Sequence, residues 1–144
     1  MIIPDVNLML YAEIDAYPQH EAARAWWEDV LSDQVRVGLP PVALFGFLRI
    51  ATNRRIFDEP LPLPDALARV EAWLERSNVM FLGPGPRYLD TAFQLLRTLG
   101  TGGNLTTDVQ LAAHAIENQA QLYSNDLDFG RFAGLRWVNP FATP

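Results

Sequence analysis

The 144-residue chain contains no cysteine and no lysine, and its only histidines are His20 and His114. Without cysteine there is no disulfide framework, no thiolate zinc site and no thiol nucleophile. Two histidines also exclude a histidine-rich metal centre. All 11 basic residues are arginine, the side chain suited to bidentate phosphate contacts. An all-arginine composition is more commonly the mark of a GC-rich genome than of a mechanism. Long apolar runs are missing as well. The longest, residues 39–48, is interrupted by Pro40-Pro41 and falls far short of the roughly 20 residues needed to span a bilayer. No positively charged segment followed by an apolar one opens the chain, so nothing reads as a secretory signal. The expectation is a soluble, cytoplasmic protein without membrane association.

The net charge is −6, so the broad basic face of a nonspecific nucleic-acid binder is lacking. That objection weakens where several carboxylates gather around a divalent cation, because the ion offsets the charge a phosphate would meet. With 49% hydrophobic and 19% charged residues, the chain fills a globular core. Its length is that of a single domain, expected over residues 1–144.

Apolar and turn patterns place the elements. Residues 1–5 read as a short buried strand ending at Asp5, and residues 20–31 as an amphipathic helix with Ala22, Ala23, Trp26, Trp27, Val30 and Leu31 at helical spacing. A short strand follows at 35–38, then a helix over 40–53 with its prolines at the start, where they are tolerated. Residues 65–77 form a helix with Leu67, Val70 and Leu74 on one face, and 78–83 a strand. A helix over 86–100 stops at glycine. A helix over 105–119, capped by Thr106 or Thr107, leads into a strand at 120–125, and a last strand lies within 134–141. Alternating strands and helices predict an α/β fold with a mainly parallel sheet.

Ligands of open α/β sheets bind at the carboxyl ends of the strands. Asp5 ends the first strand, Asp126 and Asp128 follow a later one, and Asp108 lies in the first turn of the helix leading into it. Each acid also has a local use. Asp126 and Asp128 suit a turn, and Asp108 suits a helix N-terminus. From spacing alone, independent caps and turns remain open beside a shared cation site. Acids crowded at one edge would favour a hard cation such as Mg²⁺ or Mn²⁺, which serves phosphate chemistry.

The stretches "MIIPDVNLMLYA", "TTDVQLAAHAIENQAQLYSNDLDFGRF" and "GLRWVNPF" together resemble the PIN-domain ribonucleases, specifically the VapC toxins of type II toxin–antitoxin pairs. The resemblance implies a three-layer α/β/α fold, its mainly parallel sheet flanked by helices. It also implies Mg²⁺-dependent endonucleolytic hydrolysis of RNA, with Mn²⁺ as a substitute, and neutralisation by a cognate VapB-like antitoxin. Self-association as a homodimer is expected. Asp5, Asp108 and Asp126 become the catalytic, metal-binding carboxylates, and Asp128 a supporting acid. Asn7 and Ser124 would orient the site by hydrogen bonds, with Ser124 standing where the family usually has threonine. One position departs: Gly46, in "GFLR", stands where the family usually carries a glutamate, and no acid lies between Asp33 and Asp58. A second metal position is therefore in question. The alternative is a catalytically weakened PIN-like module that binds RNA or a partner without cutting it.

Arg49 and Thr52 follow Gly46 closely on the same helix, with Arg49 a candidate RNA phosphate contact. Phe129 is expected to turn into the core and pin the turn after Asp126. His114, six residues beyond Asp108, reads as packing, His20 as surface, and Trp26 and Trp73 as core or dimer packing. A phosphatase with an aspartyl-phosphate intermediate would need Asp-x-Asp after the first strand. Asn7 at the third position and the lack of lysine argue against it.

Overall fold

The computed structural model describes residues 1–141; residues 142–144, the last three of the expected single domain, lie outside the described residues. Five strands are present: β1 (Ile2–Pro4), β2 (Val37–Leu39), β3 (Val79–Phe81), β4 (Gln121–Tyr123) and β5 (Arg136–Val138). They form one parallel sheet in the order β3–β2–β1–β4–β5. Six helices connect them among the described residues: α1 (Val6–Glu13), α2 (His20–Ser32), α3 (Pro41–Ala51), α4 (Leu63–Leu74), α5 (Tyr88–Leu99) and α6 (Leu105–Glu117). A 3-10 turn spans Leu127–Arg131. No helix among the described residues is long and apolar enough to cross a membrane.

The connections β1→β2→β3 step one way along the sheet, and β3→β4 steps back past β1. Parallel crossovers are right-handed, so the two directions send their helices to opposite faces. The packing agrees: α1 lies on α2 and α3, α3 on α4, and α5 on α6, with a smaller contact between α3 and α6. The strand order reverses between β1 and β4, which makes the crevice beyond their carboxyl ends the switch point of the fold.

Burial accounts for the short strands. Every residue of β1 and β2 is buried, as central parallel strands covered on both faces require. On one side the core centres on three rings from three helices. Trp73 stands edge-on to Trp27 at 5.5 Å and to Phe47 at 4.9 Å between centroids. Edge-to-face arrangements of this kind suit the quadrupoles of aromatic rings.

Several expectations are corrected here. Helix α1 is not marked by the sequence pattern: Val6, Leu8, Met9, Leu10 and Ala12 are all buried, so the helix is apolar nearly all round and carries no 3.6-residue alternation. The buried face of α4 is Ala66, Val70 and Trp73, while Leu67 is exposed. In α2, Ala23 is buried and Ala22 exposed. Neither Thr106 nor Thr107 caps α6; Asn104 precedes it without a side-chain cap, and both threonines are exposed within the first turn. His20 is half-buried, its Nδ1 2.8 Å from the Tyr11 carbonyl oxygen. The glycine stop of α5 is present, with Gly100 left-handed at φ 71°.

Gly46 fixes how closely α3 approaches α1. A Cβ at this position would lie 2.8 Å from Val6 Cγ2, and Val6 is a stiff β-branched residue that is itself buried. Gly46→Ala is therefore expected to destabilise the protein by about 1–2 kcal/mol, overpacking outweighing the gain in helix propensity. In a Val6→Ala background the same change should stabilise by about 0.5–1 kcal/mol. Urea denaturation of the four proteins checks this; the same sign in both backgrounds would contradict the contact.

Candidate active site

The site begins where β1 and β4 end side by side. The Asp5 N–H donates to the Tyr123 carbonyl at 2.8 Å, and the chain then turns directly into α1. Asp5 is the extended N-cap of that helix. Its Oδ1 accepts the Val6 N–H at 2.7 Å. Its Oδ2 accepts the Ser124 hydroxyl, also at 2.7 Å. Ser124 is fully buried, and its Oγ in turn accepts the Asp126 N–H at 3.0 Å. Asp126 caps the 3-10 turn, its Oδ1 accepting the Asp128 N–H at 2.9 Å. One chain of hydrogen bonds thus runs from Asp5 through Ser124 and Asp126 to Asp128. Phe129 is buried below the turn, 5.7 Å from the Phe132 ring, and Trp137 Nε1–H donates to the Ser124 carbonyl at 3.0 Å. These contacts hold the turn in place.

Helix α6 brings Asp108 to the same edge. Asp108, Asp126 and Asp128 each present a carboxylate oxygen, all within 4.8 Å of one another. This trio differs from the expected Asp5, Asp108 and Asp126: Asp128 enters it, and Asp5 adjoins it with both oxygens already hydrogen-bonded. Electrostatics still tie Asp5 to the group. Burial pushes its carboxyl up to about 6, against the lowering effect of Ser124 and the Val6 N–H, with the Asp126 charge adding to the rise. Asp108 is pushed up to about 7 by burial first, and then by the charges of Asp5, Asp126 and Asp128. Crowded carboxylates that resist ionisation fit a hard divalent cation, which relieves their repulsion and takes oxygen donors alone. No histidine or cysteine lies among them, which disfavours zinc or copper.

The other sequence candidates separate cleanly. The Asn7 side-chain oxygen is buried and without a hydrogen-bond partner among the described residues, whereas Ser124 is bonded to Asp5. Gly46 and Arg49 line a cavity of about 330 Å³ together with Asp5, Val6, Phe45 and Thr107. Thr52 instead donates its hydroxyl to the Leu48 carbonyl at 2.7 Å. His114 is buried against Tyr88, ring centroids 4.4 Å apart, as expected of a packing residue. Phe45 was not singled out from sequence, because a phenylalanine inside an apolar run reads as core. Its available signal was the spacing Val42, Phe45 and Arg49, a second stripe on α3 beside the buried Ala43, Leu44, Phe47 and Ala51.

Comparison with known proteins places this arrangement. The family model described as PIN domain matches residues 2–135. Ribonuclease VapC33 of Mycobacterium tuberculosis is 56% identical over 140 residues, covering 97% of this chain and 98% of the relative. Ribonuclease VapC37 of the same organism is 39% identical, covering 97% of each. Among solved structures, VapBC2 from Rickettsia felis bound to a promoter DNA fragment superposes with a TM-score of 0.69 at 19% identity. That match covers 96% of this chain and 98% of the matched one.

The raised carboxyls make stability depend on pH in a definite direction. Folded values of about 6 for Asp5 and about 7 for Asp108 lie above the ordinary 3.8. Folding therefore favours the protonated forms, and this contribution is complete below about pH 4 and lost as pH rises through about 6–7. In EDTA, Tm should fall from about pH 5 to about pH 8 more steeply for the wild type than for Asp108→Asn. Added MgCl₂ should restore Tm at the higher pH only in the wild type. Thermal scans of both proteins provide the measurement, and parallel pH profiles would count against the crowding.

Proposed function

The chain belongs to the PIN-domain family, and on that footing we propose that it is the toxin of a VapBC pair. It is an endoribonuclease that hydrolyses phosphodiester bonds of RNA and is held inactive by a cognate VapB-like antitoxin. One observation carries the reading: Asp5, Asp108, Asp126 and Asp128 gather at the switch point of the sheet, in a chain 56% identical to a ribonuclease. Residues 1–144 act as one PIN domain in this reading, in the cytoplasm and as a homodimer.

The cofactor proposed is Mg²⁺, with Mn²⁺ as a substitute, held by Asp108 and Asp126 with Asp5 and Asp128 at their sides. Bound there, the ion would neutralise charge on the scissile phosphate and make a water acidic enough to attack. The protein's own part is positioning. Ser124 and the Val6 N–H hold the Asp5 carboxylate in one orientation and leave its remaining lone pairs available. The same hydroxyl receives the Asp126 N–H, so two acids from distant segments take their places from one buried atom. Gly46 supplies no further acid, and a Cβ there would press on Val6 Cγ2 at 2.8 Å. We therefore assign a single cation per chain, a stoichiometry that calorimetric titration with Mn²⁺ reads directly.

Purified protein, free of antitoxin, should cut total cellular RNA into discrete fragments with Mg²⁺ or Mn²⁺ and not with EDTA. Asp108→Asn and Asp126→Asn should each lose more than about 100-fold in rate with circular dichroism unchanged. Ser124→Ala should lose about 10–100-fold, as partners that orient a metal ligand commonly do. RNA that is bound but left intact by the folded wild type would favour the non-cutting binding module raised by Gly46.

A further inference from the structure

We propose that the cavity beside Asp5 receives one unpaired nucleobase of the RNA substrate, stacked on Phe45, with Arg49 at the adjoining phosphate. This rests on the ribonuclease reading above and adds to it a binding residue. Helix α3 presents two stripes. One, Ala43, Leu44, Phe47 and Ala51, is buried in the core. The other, Val42, Phe45, Gly46 and Arg49, lines the cavity together with Asp5 and Val6. Phe45 is 67% exposed, an aromatic face left in water at the mouth of the acidic site. Arg49 lies one turn further along the same stripe, exposed and without an ion pair among the described residues. Gly46 contributes no side chain between them, so the floor is its backbone and Val6.

The occupant follows from continuity and charge. The cavity wall includes Asp5 itself, so whatever fills it sits next to the group being cleaved. A flat apolar surface adjoining a free guanidinium matches a base and its phosphate. The volume, about 330 Å³, lies at the lower end of the roughly 300–1,000 Å³ typical of ligand sites, room for a single nucleoside. The net charge of −6 and the absence of lysine leave little long-range attraction to a polyanion. Affinity then has to come from local contacts, and base stacking supplies it without a basic face. A base can enter only if it is unstacked from its neighbours, which directs cleavage to loops and single strands rather than duplex RNA.

The test uses an RNA oligonucleotide spanning a mapped cleavage position, as a hairpin with that position in the loop and as a full duplex. Wild type, Phe45→Ala, Phe45→Trp and Asp126→Asn are compared. Phe45→Ala should raise KM about 5- to 150-fold with kcat changed less than about 3-fold, the range expected when one base loses its stacking partner. Phe45→Trp should restore KM, and the wild type should cut the loop and spare the duplex. Arg49→Gln should flatten the dependence of KM on salt. Phe45 is exposed, so unchanged Tm in its variants separates lost binding from lost folding. Cleavage by wild type and Phe45→Ala with the same KM overturns the proposal, as does a defect confined to antitoxin inhibition, which would assign Phe45 to the protein partner. Absence of any cleavage that Asp126→Asn abolishes would instead overturn the ribonuclease reading beneath it.

Discussion

A single buried hydroxyl organises the site. Ser124 Oγ donates to Asp5 and accepts from the Asp126 backbone, joining residues 119 positions apart in the chain. Both ends of this link lie at the carboxyl termini of neighbouring parallel strands, β1 and β4. A buried polar group must find partners or pay several kcal/mol in lost solvation. Here that requirement does structural work in both directions: Ser124 is satisfied only if Asp5 and the Asp126 turn are in place. The core beneath, with Phe129 under the turn and Trp137 on the Ser124 carbonyl, keeps the strand ends from separating.

The acids assembled on this frame oppose one another. Asp108 is raised first by burial and then by the charges of three other carboxylates. Asp5 owes its shift mainly to burial and is partly relieved by two hydrogen bonds. The difference is one of support. Asp5 is held by donors on both oxygens, whereas Asp108 arrives on a separate helix and faces the other acids. A cation bound there would offset charge on Asp108, which is carried by α6, a helix packed on α5 and in contact with α3.

Much of this was legible in the sequence, and the exceptions have physical causes. Alternating strands and helices fixed the class, since a parallel sheet needs crossover helices between its strands. The positions of Asp5, Asp108 and Asp126 at one sheet edge followed from that topology and from motifs shared with a known family. Helix α1 stayed hidden because it is buried nearly all round and leaves no polar face to mark its period. The place of Asp128 depended on a 3-10 turn, whose geometry brings Asp126 and Asp128 together near Asp108. Asn7 resembles a site residue by its motif, and its buried side-chain oxygen is without a hydrogen-bond partner among the described residues. Phe45 belongs to a second helical stripe, and a pattern of apolar residues does not say which of two stripes faces water.

The contact between Gly46 and Val6 also bears on descent. A chain with glycine at 46 and valine at 6 cannot take a side chain at position 46 by one substitution without a Cβ pressing on Val6. It must first shrink residue 6, a change with no benefit of its own at the site. A single methyl group thus makes substitution at position 46 depend on what stands at position 6. Adaptation of the cleft is left to positions around the gap rather than to refilling it.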